Sequence, residues 1–470
     1  MSPRISPARL VAYDVLRDVD ERDAYANLAL PARIREAKLD SRDAGLATEL
    51  VAGTLRGRGR YDRIIELASG RSIDKVDQRT LRVLRLGAHQ LLSMRTAAHA
   101  AVNESVELQR KVANPAAAGF VNGVLRSIGR TSNEEWNARI EDEAKNADAA
   151  LAVRTSHPAW VLRALRDSLR AEGREHELVE LLEADNVPPR VSLALLPGAA
   201  IDVETAAVLG SDPERGVQLE ALGASPLGLE LEGGDPAKAI GAIDEPDGFV
   251  RVQDQGSQLA ALALTRSREV RSGEKWLDLC AGPGGKTALL GAEAALGGAS
   301  VRANEVSEHR AELVRRSVVA VADHVEVVSH DGRDAGAYGG ESFDRILVDA
   351  PCSGLGALRR RPEARWRKQP TDLPVLTALQ AELLEAAVDH LAPGGVLAYV
   401  TCSPHRAETR VVLDGLLKNH PDLRELDAKS VLNEVAREPL DLAGQSLSAQ
   451  LWPHRNGTDA MFIALVERRA

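Results

Sequence analysis

Two rhythms of apolar and polar positions divide the chain. From Ser6 to about Arg130, apolar residues recur three and four apart in LVAYDVLRDV, ATELVAGTLRGRGRYDRIIELA, TLRVLRLGAHQLLSM and AAVNESVELQRKV, the spacing that lines one face of a helix. Gly70, Gly87 and Pro115 punctuate these runs, and a compact all-helical bundle is expected. The stretch TSNEEWNARIEDEAKNADAA is polar and acidic; it reads as a linker or exposed helix and places a boundary near residue 150. HPAWVLRALRDSLR predicts a helix after Pro158, and VSLALLPG with the Gly- and Pro-rich run to Gly248 predicts a small mixed α/β unit.

From about Phe249 the rhythm changes. KWLDLC, SVRANEV, HVEVVS, FDRILVDAP and GGVLAYVTC are short, nearly continuous apolar segments alternating with helical stretches such as TALLGAEAALG and LTALQAELLEAAVDHL. Strands apolar on both sides, alternating with helices, predict a parallel sheet covered on both faces. The expected architecture is multidomain, α and α/β: a helical bundle over 1–150, a small connecting α/β domain over 151–248, and a doubly wound, Rossmann-like domain over 249–470. In such sheets ligands bind beyond the carboxyl ends of the strands.

Composition narrows this picture. At 470 residues the chain exceeds one ordinary core, no apolar run is long enough to cross a bilayer, and the start has no apolar signal core. A cytoplasmic protein is expected. Three cysteines, Cys280, Cys352 and Cys402, fit neither a disulfide framework nor paired zinc spacing, so free thiols and no metal are implied. The net charge of −10 argues against a broadly basic nucleic-acid surface. Locally, however, Arg56, Arg58, Arg60 and Arg63 cluster, and Arg359, Arg360, Arg361, Arg365, Arg367 and Lys368 form a denser group. Both are candidate phosphate contacts, against the plainer reading of a solvated charged face.

The chemistry falls at strand ends. The first strand of the last domain runs into Cys280, Ala281, Gly282, Pro283, Gly284, Gly285, Lys286 and then Thr287. The glycines let the backbone pass close to a ligand. A Walker motif would need glycine at position 280, and a dinucleotide fingerprint would need it at 287, so neither fits. Glu305 closes the second strand, where a carboxylate can take the ribose hydroxyls of an adenosine ligand, and Asp331 follows the third, within reach of an adenine edge. Singly, each has a plainer reading as a turn or a helix cap.

The fourth strand ends in Asp349-Ala350-Pro351-Cys352 and the fifth in Thr401-Cys402-Ser403, so both thiols land at the ligand edge. That placement suits methylation of carbon 5 of a pyrimidine, a poor nucleophile. A thiolate adding at carbon 6 drives electron density to carbon 5, and a carboxyl group such as Asp349 engages the ring nitrogen and exocyclic amine.

DAPCSGLG followed by arginines, TCS and CAGPGGKT together resemble the RsmB (Sun) family of bacterial ribosomal RNA cytosine-5 methyltransferases. VQDQGSQLA and TDAMFIALV resemble its entry and closing segments. ANLAL, ELVAGTLRGRGRYD, LRLGAHQLL and GFVNGVLR resemble the NusB-type RNA-binding domain that precedes the methyltransferase in this family. The likeness covers nearly the whole chain. It implies S-adenosyl-L-methionine as cofactor, contacted by Cys280 through Lys286, Glu305, Asp331 and Asp349. It also implies Cys402 as nucleophile, Cys352 as the release-assisting thiol, Asp349 as the base contact, and RNA contacts at Arg359, Arg360, Arg361 and Arg365. A monomer acting on 16S ribosomal RNA, with no membrane or metal partner, is expected. The alternatives are a transfer RNA substrate, or a non-catalytic RNA-binding antitermination or assembly factor. Departures are Gly282 where alanine is common, Glu305 where aspartate is frequent, and Pro404-His405 where an aliphatic residue and then a Glu-Asn pair usually follow.

Overall fold

The computed structural model describes residues 5–246 and 248–470. The chain packs as two compact units. The first comprises the chain up to Arg163 with Asp185–Val187 and Leu358–Arg367, and the second the remainder. This division differs from the three parts anticipated at 150 and 248, because the small sheet belongs to the same unit as the large one.

The first unit is helical, with helices over Pro7–Arg22, Ser41–Arg56, Arg58–Ser69, Gln78–Leu92, Ala98–Val112 and Ala118–Arg130 around one apolar core. Their starts are fixed by side chains: Asp40 accepts from Asp43 N, and Asp77 from Thr80 N, satisfying backbone donors that lack a helical partner. One expectation needs correction. Gly87 does not punctuate; it lies inside a helix, where an added Cβ would fall 2.6 Å from Leu125, so it serves close helix packing. The polar stretch after residue 131, expected as a linker or exposed helix, is a largely exposed helix: a capping box of Ser132 and Glu135 starts Asn133–Asp142, and its Trp136 is fully buried in the core.

The second unit holds two sheets. The smaller has strands β1 (Val191–Leu195), β2 (Gln218–Glu220), β3 (Gly228–Gly233) and β4 (Val250–Val252), all antiparallel in the order β2-β3-β1-β4, with its own core around Leu193, Leu219 and Leu229.

The larger sheet is built from β5 (Lys275–Asp278), β6 (Ser300–Asn304), β7 (Val325–Val328), β8 (Phe343–Asp349), β9 (Leu391–Thr401), β10 (Leu423–Leu426), β11 (Ala449–Gln450) and β12 (Phe462–Arg468). Its order is β10-β12-β9-β8-β5-β6-β7, with β11 beside β12. Strands β9 to β7 are parallel; β12 and β10 run antiparallel at one edge. The anticipated two-sided burial is visible residue by residue. Trp276, Leu347, Val396, Ala398 and Val400 join one core, while Leu277, Ile346, Val348, Leu397 and Tyr399 join the other, the period-2 alternation of a sheet with helices on both faces. Among the described residues no helix is long and apolar enough to cross a membrane.

Candidate active site

Strand register sets the site. Asp349 pairs with Val400 across β8 and β9, so the segments leaving these neighbouring strands carry Cys352 and Cys402 out side by side. Their sulfurs stand 3.4 Å apart and both residues are partly buried. The two loops are tied directly: Ala350 N donates to Val400 O at 2.9 Å, and Gly356 N to Cys402 O at 2.8 Å. Gly356 has to be glycine here, because a Cβ would meet the carbonyl oxygen of Ala460 at 1.9 Å.

On the neighbouring strand, the loop after β5 turns into the helix Gly285–Gly297. Gly284 takes a positive φ of 102°, and an added Cβ would fall 2.5 Å from Ser317 Cβ and 3.0 Å from Val314 Cα, a conformation and a proximity that disfavour a side chain. Lys286, in the first turn of that helix, reaches Asp349 with Nζ–Oδ2 of 2.8 Å. Burial opposes its charge, but Asp349 and then Cys402 nearby hold the ammonium protonated, with the balance upward. Lys286 thus sets a positive charge beside the Cys402 sulfur. The hydrogen bond to Cys402, together with burial and the charges of Cys402 and Glu408, pushes the Cys352 thiol well above its ordinary range. At neutral pH Cys352 is therefore a neutral S–H beside its neighbour's sulfur. Burial among Asp278, Asp349 and Glu305 likewise keeps the Cys280 thiol neutral, and it packs against the core.

Glu305 is almost wholly buried, and its carboxylate accepts from Gly282 N at 3.1 Å and Ser307 N at 3.1 Å. A Cβ on residue 282 would lie 2.1 Å from Glu305 Oε2. The two departures noted in the sequence thus meet at one contact, where a side chain on residue 282 would make the Glu305 carboxylate shift. Asp331 lies on an exposed turn, where Arg333 grips it through both oxygens and holds it down at about 2.

Sequence reasoning missed two residues here. Asp278, at the end of β5, accepts from Thr287 Oγ1 at 2.7 Å, while its Oδ1 is buried without a hydrogen-bond partner. Burial pushes its carboxyl up to about 7. Glu408 is fully buried beneath both cysteine loops. Asp278 could have been noticed as an acid inside an apolar strand; Glu408 had no comparable signal.

The arginine group does not form the surface expected of it. Arg365 is completely buried, donating to Ser156 O at 3.1 Å, Asn186 Oδ1 at 2.9 Å and Asp185 O at 3.3 Å. It has no face left for a phosphate, and the expected RNA contact at Arg365 is withdrawn on that ground. Arg359 is buried too, whereas Arg360 is half-buried and Arg361 exposed.

Comparisons with known proteins show which family the chain resembles. Residues 267–467 match the family model described as 16S rRNA methyltransferase RsmB/F, and residues 6–130 match the NusB family. A Pseudomonas putida (strain KT2440) ribosomal RNA small subunit methyltransferase B is 34% identical over 100% of both chains. A Mycobacterium tuberculosis (strain H37Rv) protein named as a methyltransferase is 45% identical over 99% of this chain and 97% of its own. The crystal structure of PH0851 superposes over 100% of both chains with a TM-score of 0.77 at 22% identity. That of NSun6 from Pyrococcus horikoshii with SFG covers 66% of this chain and 98% of its own, with a TM-score of 0.50 at 16% identity. A NusB-type helical domain followed by a Rossmann-like sheet with paired thiols at its rim defines a multidomain methyltransferase, as the sequence led one to expect. More narrowly, the chain belongs to the ribosomal RNA small subunit methyltransferase B (RsmB) family.

Proposed function

We propose that this chain methylates carbon 5 of a cytosine in 16S ribosomal RNA through a transient covalent bond between Cys402 and carbon 6. The observation that carries the reading is the 3.4 Å approach of two sulfurs beside the Lys286–Asp349 pair.

The residues at the strand ends fit S-adenosyl-L-methionine. Gly282, Gly284 and Gly285 leave the backbone bare, Glu305 offers a buried carboxylate, and Asp278 presents an unpartnered buried oxygen. Cys280 through Lys286, Glu305, Asp331 and Asp349 would hold the cofactor, which supplies an electrophilic methyl group. Of these, Asp331 would have to share its carboxylate with Arg333.

The chain's own residues do the rest. Lys286 stabilises the Cys402 thiolate, which adds to carbon 6 and sends the electron pair of the ring double bond to carbon 5. Asp349 hydrogen-bonds the nitrogen edge of the base and holds the ring in register with the sulfur. After carbon 5 has acquired its methyl group, a base from solvent takes the carbon 5 proton, the C5–H electron pair re-forms the ring double bond, and the C6–S pair leaves with Cys402 as thiolate. The neutral thiol of Cys352 stands where it can assist that departure by hydrogen-bonding the leaving sulfur. Exposed Arg361 and half-buried Arg360 remain the arginines placed to meet RNA phosphate, and the NusB-type domain supplies a second docking element.

Cys402→Ala should lower methyl transfer by about 10⁴-fold or more, the scale set by removing a covalent nucleophile. Cys352→Ala should accumulate a denaturant-resistant protein–RNA adduct, read on a gel. Full turnover by Cys402→Ala would overturn the mechanism. Mapping methylcytosine in ribosomal and transfer RNA from a deletion strain tests the substrate.

A further inference from the structure

One carboxylate beneath the site holds the residue immediately after each cysteine. Glu408 Oε1 accepts from Ser353 N at 2.7 Å and Gln380 Nε2 at 3.3 Å, and Oε2 accepts from Ser353 Oγ at 2.5 Å and Ser403 Oγ at 2.7 Å. The two serine hydroxyls touch each other at 3.0 Å. Glu408 is itself fixed from two sides: its backbone carbonyl accepts from Tyr399 Oη at 2.6 Å, and its N–H donates to His405 O at 2.8 Å. Gln380 extends the grip by donating to Pro351 O at 2.9 Å, one residue before Cys352.

A fully buried carboxylate is costly unless its lone pairs are taken, and this one receives four neutral N–H and O–H donors. The ionised group accepts through about four lone-pair sites, so it can join two loops that a donor–acceptor side chain would bridge less completely. Arg406–Glu408 form a single 3-10 turn leading into the helix Arg410–Asn419, so the carboxylate is presented from a rigid element. Such support decides whether reacting groups stay within fractions of an ångström of a productive geometry.

We infer that Glu408 is a positioning residue that clamps the Ser353 and Ser403 loops and thereby sets the spacing between the Cys352 and Cys402 sulfurs. Its catalytic meaning rests on the two-cysteine reading above; its geometric meaning does not. Its charge also contributes to keeping the Cys352 thiol protonated.

The test uses the full chain and diamide, which oxidises two adjacent thiols to one S–S bond as its diazene takes up two hydrogens and becomes a hydrazine. Peptide mapping quantifies the Cys352–Cys402 link, and turnover is measured in parallel. The wild type should cross-link readily. Glu408→Ala should cross-link at least tenfold more slowly and lose kcat by a similar factor, with little change in KM for RNA. Glu408→Gln, of equal shape, should recover both to within about threefold. Should Glu408→Ala fail to fold, Ser403→Ala removes one arm of the clamp and should slow cross-linking about threefold. No link in the wild type overturns the proposal, as does a wild-type rate in folded Glu408→Ala or, if that variant does not fold, in Ser403→Ala. Slowed cross-linking in a protein whose Cys402→Ala variant still methylates leaves the clamp standing and removes only the catalytic reading.

Discussion

Residues 349–357 and 358–367 follow one another in the chain, the first small and sparsely polar and the second rich in arginine, and they use their polar groups for opposite ends. In the first, backbone and serine hydroxyls are consumed by hydrogen bonds so that Cys352 and Asp349 stay partly open to solvent and to each other's chemistry. In the second, the functional groups themselves are consumed. Glu363 accepts from Ala26 N, Arg365 fills three oxygens, and Arg367 donates to the carbonyls of Val19 and Ala24. Trp366 lies so close to Gly59 that a Cβ there would fall 2.4 Å from its ring. The difference teaches that density of charge does not mark an interface; what matters is whether a charged group has already been given its partners.

The largest effect expected from this contrast is at Arg365. Burial pushes its guanidinium down to about 10, still charged at neutral pH, and it holds Ser156, a non-glycine residue at φ of 59°. Strained backbone of this kind persists only where its surroundings over-determine it. Arg365→Ala should therefore lower unfolding free energy by about 3–4 kcal/mol, removing its hydrogen bonds to Ser156 O, Asp185 O and Asn186 Oδ1. Lysine should not rescue it, since one ammonium cannot reproduce the planar fork. Denaturant titration checks this. A loss below about 1 kcal/mol would mean the buried arginine is not the fastener described.

Much of this was legible beforehand, for identifiable reasons. The strands were readable because alternate residues of β8 and β9 enter opposite cores, which makes them continuously apolar, and the thiols follow at once from where those runs end. The fate of the arginines was not readable, because the oxygens that take Arg365 come from residues 156, 185 and 186, about 180 to 210 positions earlier in the chain. Glu408 escaped because the His405–Thr409 segment has no periodicity and because, Ser403 apart, its partners at 353 and 380 are brought to it only by the sheet. Trp136 was hidden inside an acidic stretch whose charges face outward while one aromatic faces in.

A smaller effect separates the two units by pH. Burial, reinforced by the nearby Arg365 charge and opposed by Asp185, pushes His157 down to about 4 from an ordinary 6.5. The folded state thus binds this proton more weakly than the unfolded chain, so its contribution is complete above pH 6.5 and is lost as pH falls through 4. The gap corresponds to up to about 3 kcal/mol. Asp278 behaves oppositely: burial raises it from 3.8 to about 7, so its contribution is complete below 3.8 and is lost as pH rises through 7. Urea midpoints between pH 4 and 8 should show His157→Gln flattening the acid limb and Asp278→Asn flattening the neutral limb. Identical pH profiles for wild type and both variants would remove the distinction.

The smallest effect on stability, and the sharpest use of the contrast, is at Arg361. It is exposed, and its guanidinium lies over the Tyr25 ring at 5.3 Å from the centroid, a contact that positions the charge without consuming its donors. If partnering decides function, Arg361→Ala should change unfolding free energy by no more than about 0.5 kcal/mol. Ribosomal RNA affinity should fall about two- to threefold, with the salt dependence of binding reduced by about one phosphate contact. Arg365→Ala, assayed where it remains folded, should leave that salt slope unchanged. The reverse pattern, with Arg361→Ala destabilising the fold and Arg365→Ala flattening the salt slope, would show that burial does not sort these arginines. The basic segment would then have to be reassigned from fastener to interface.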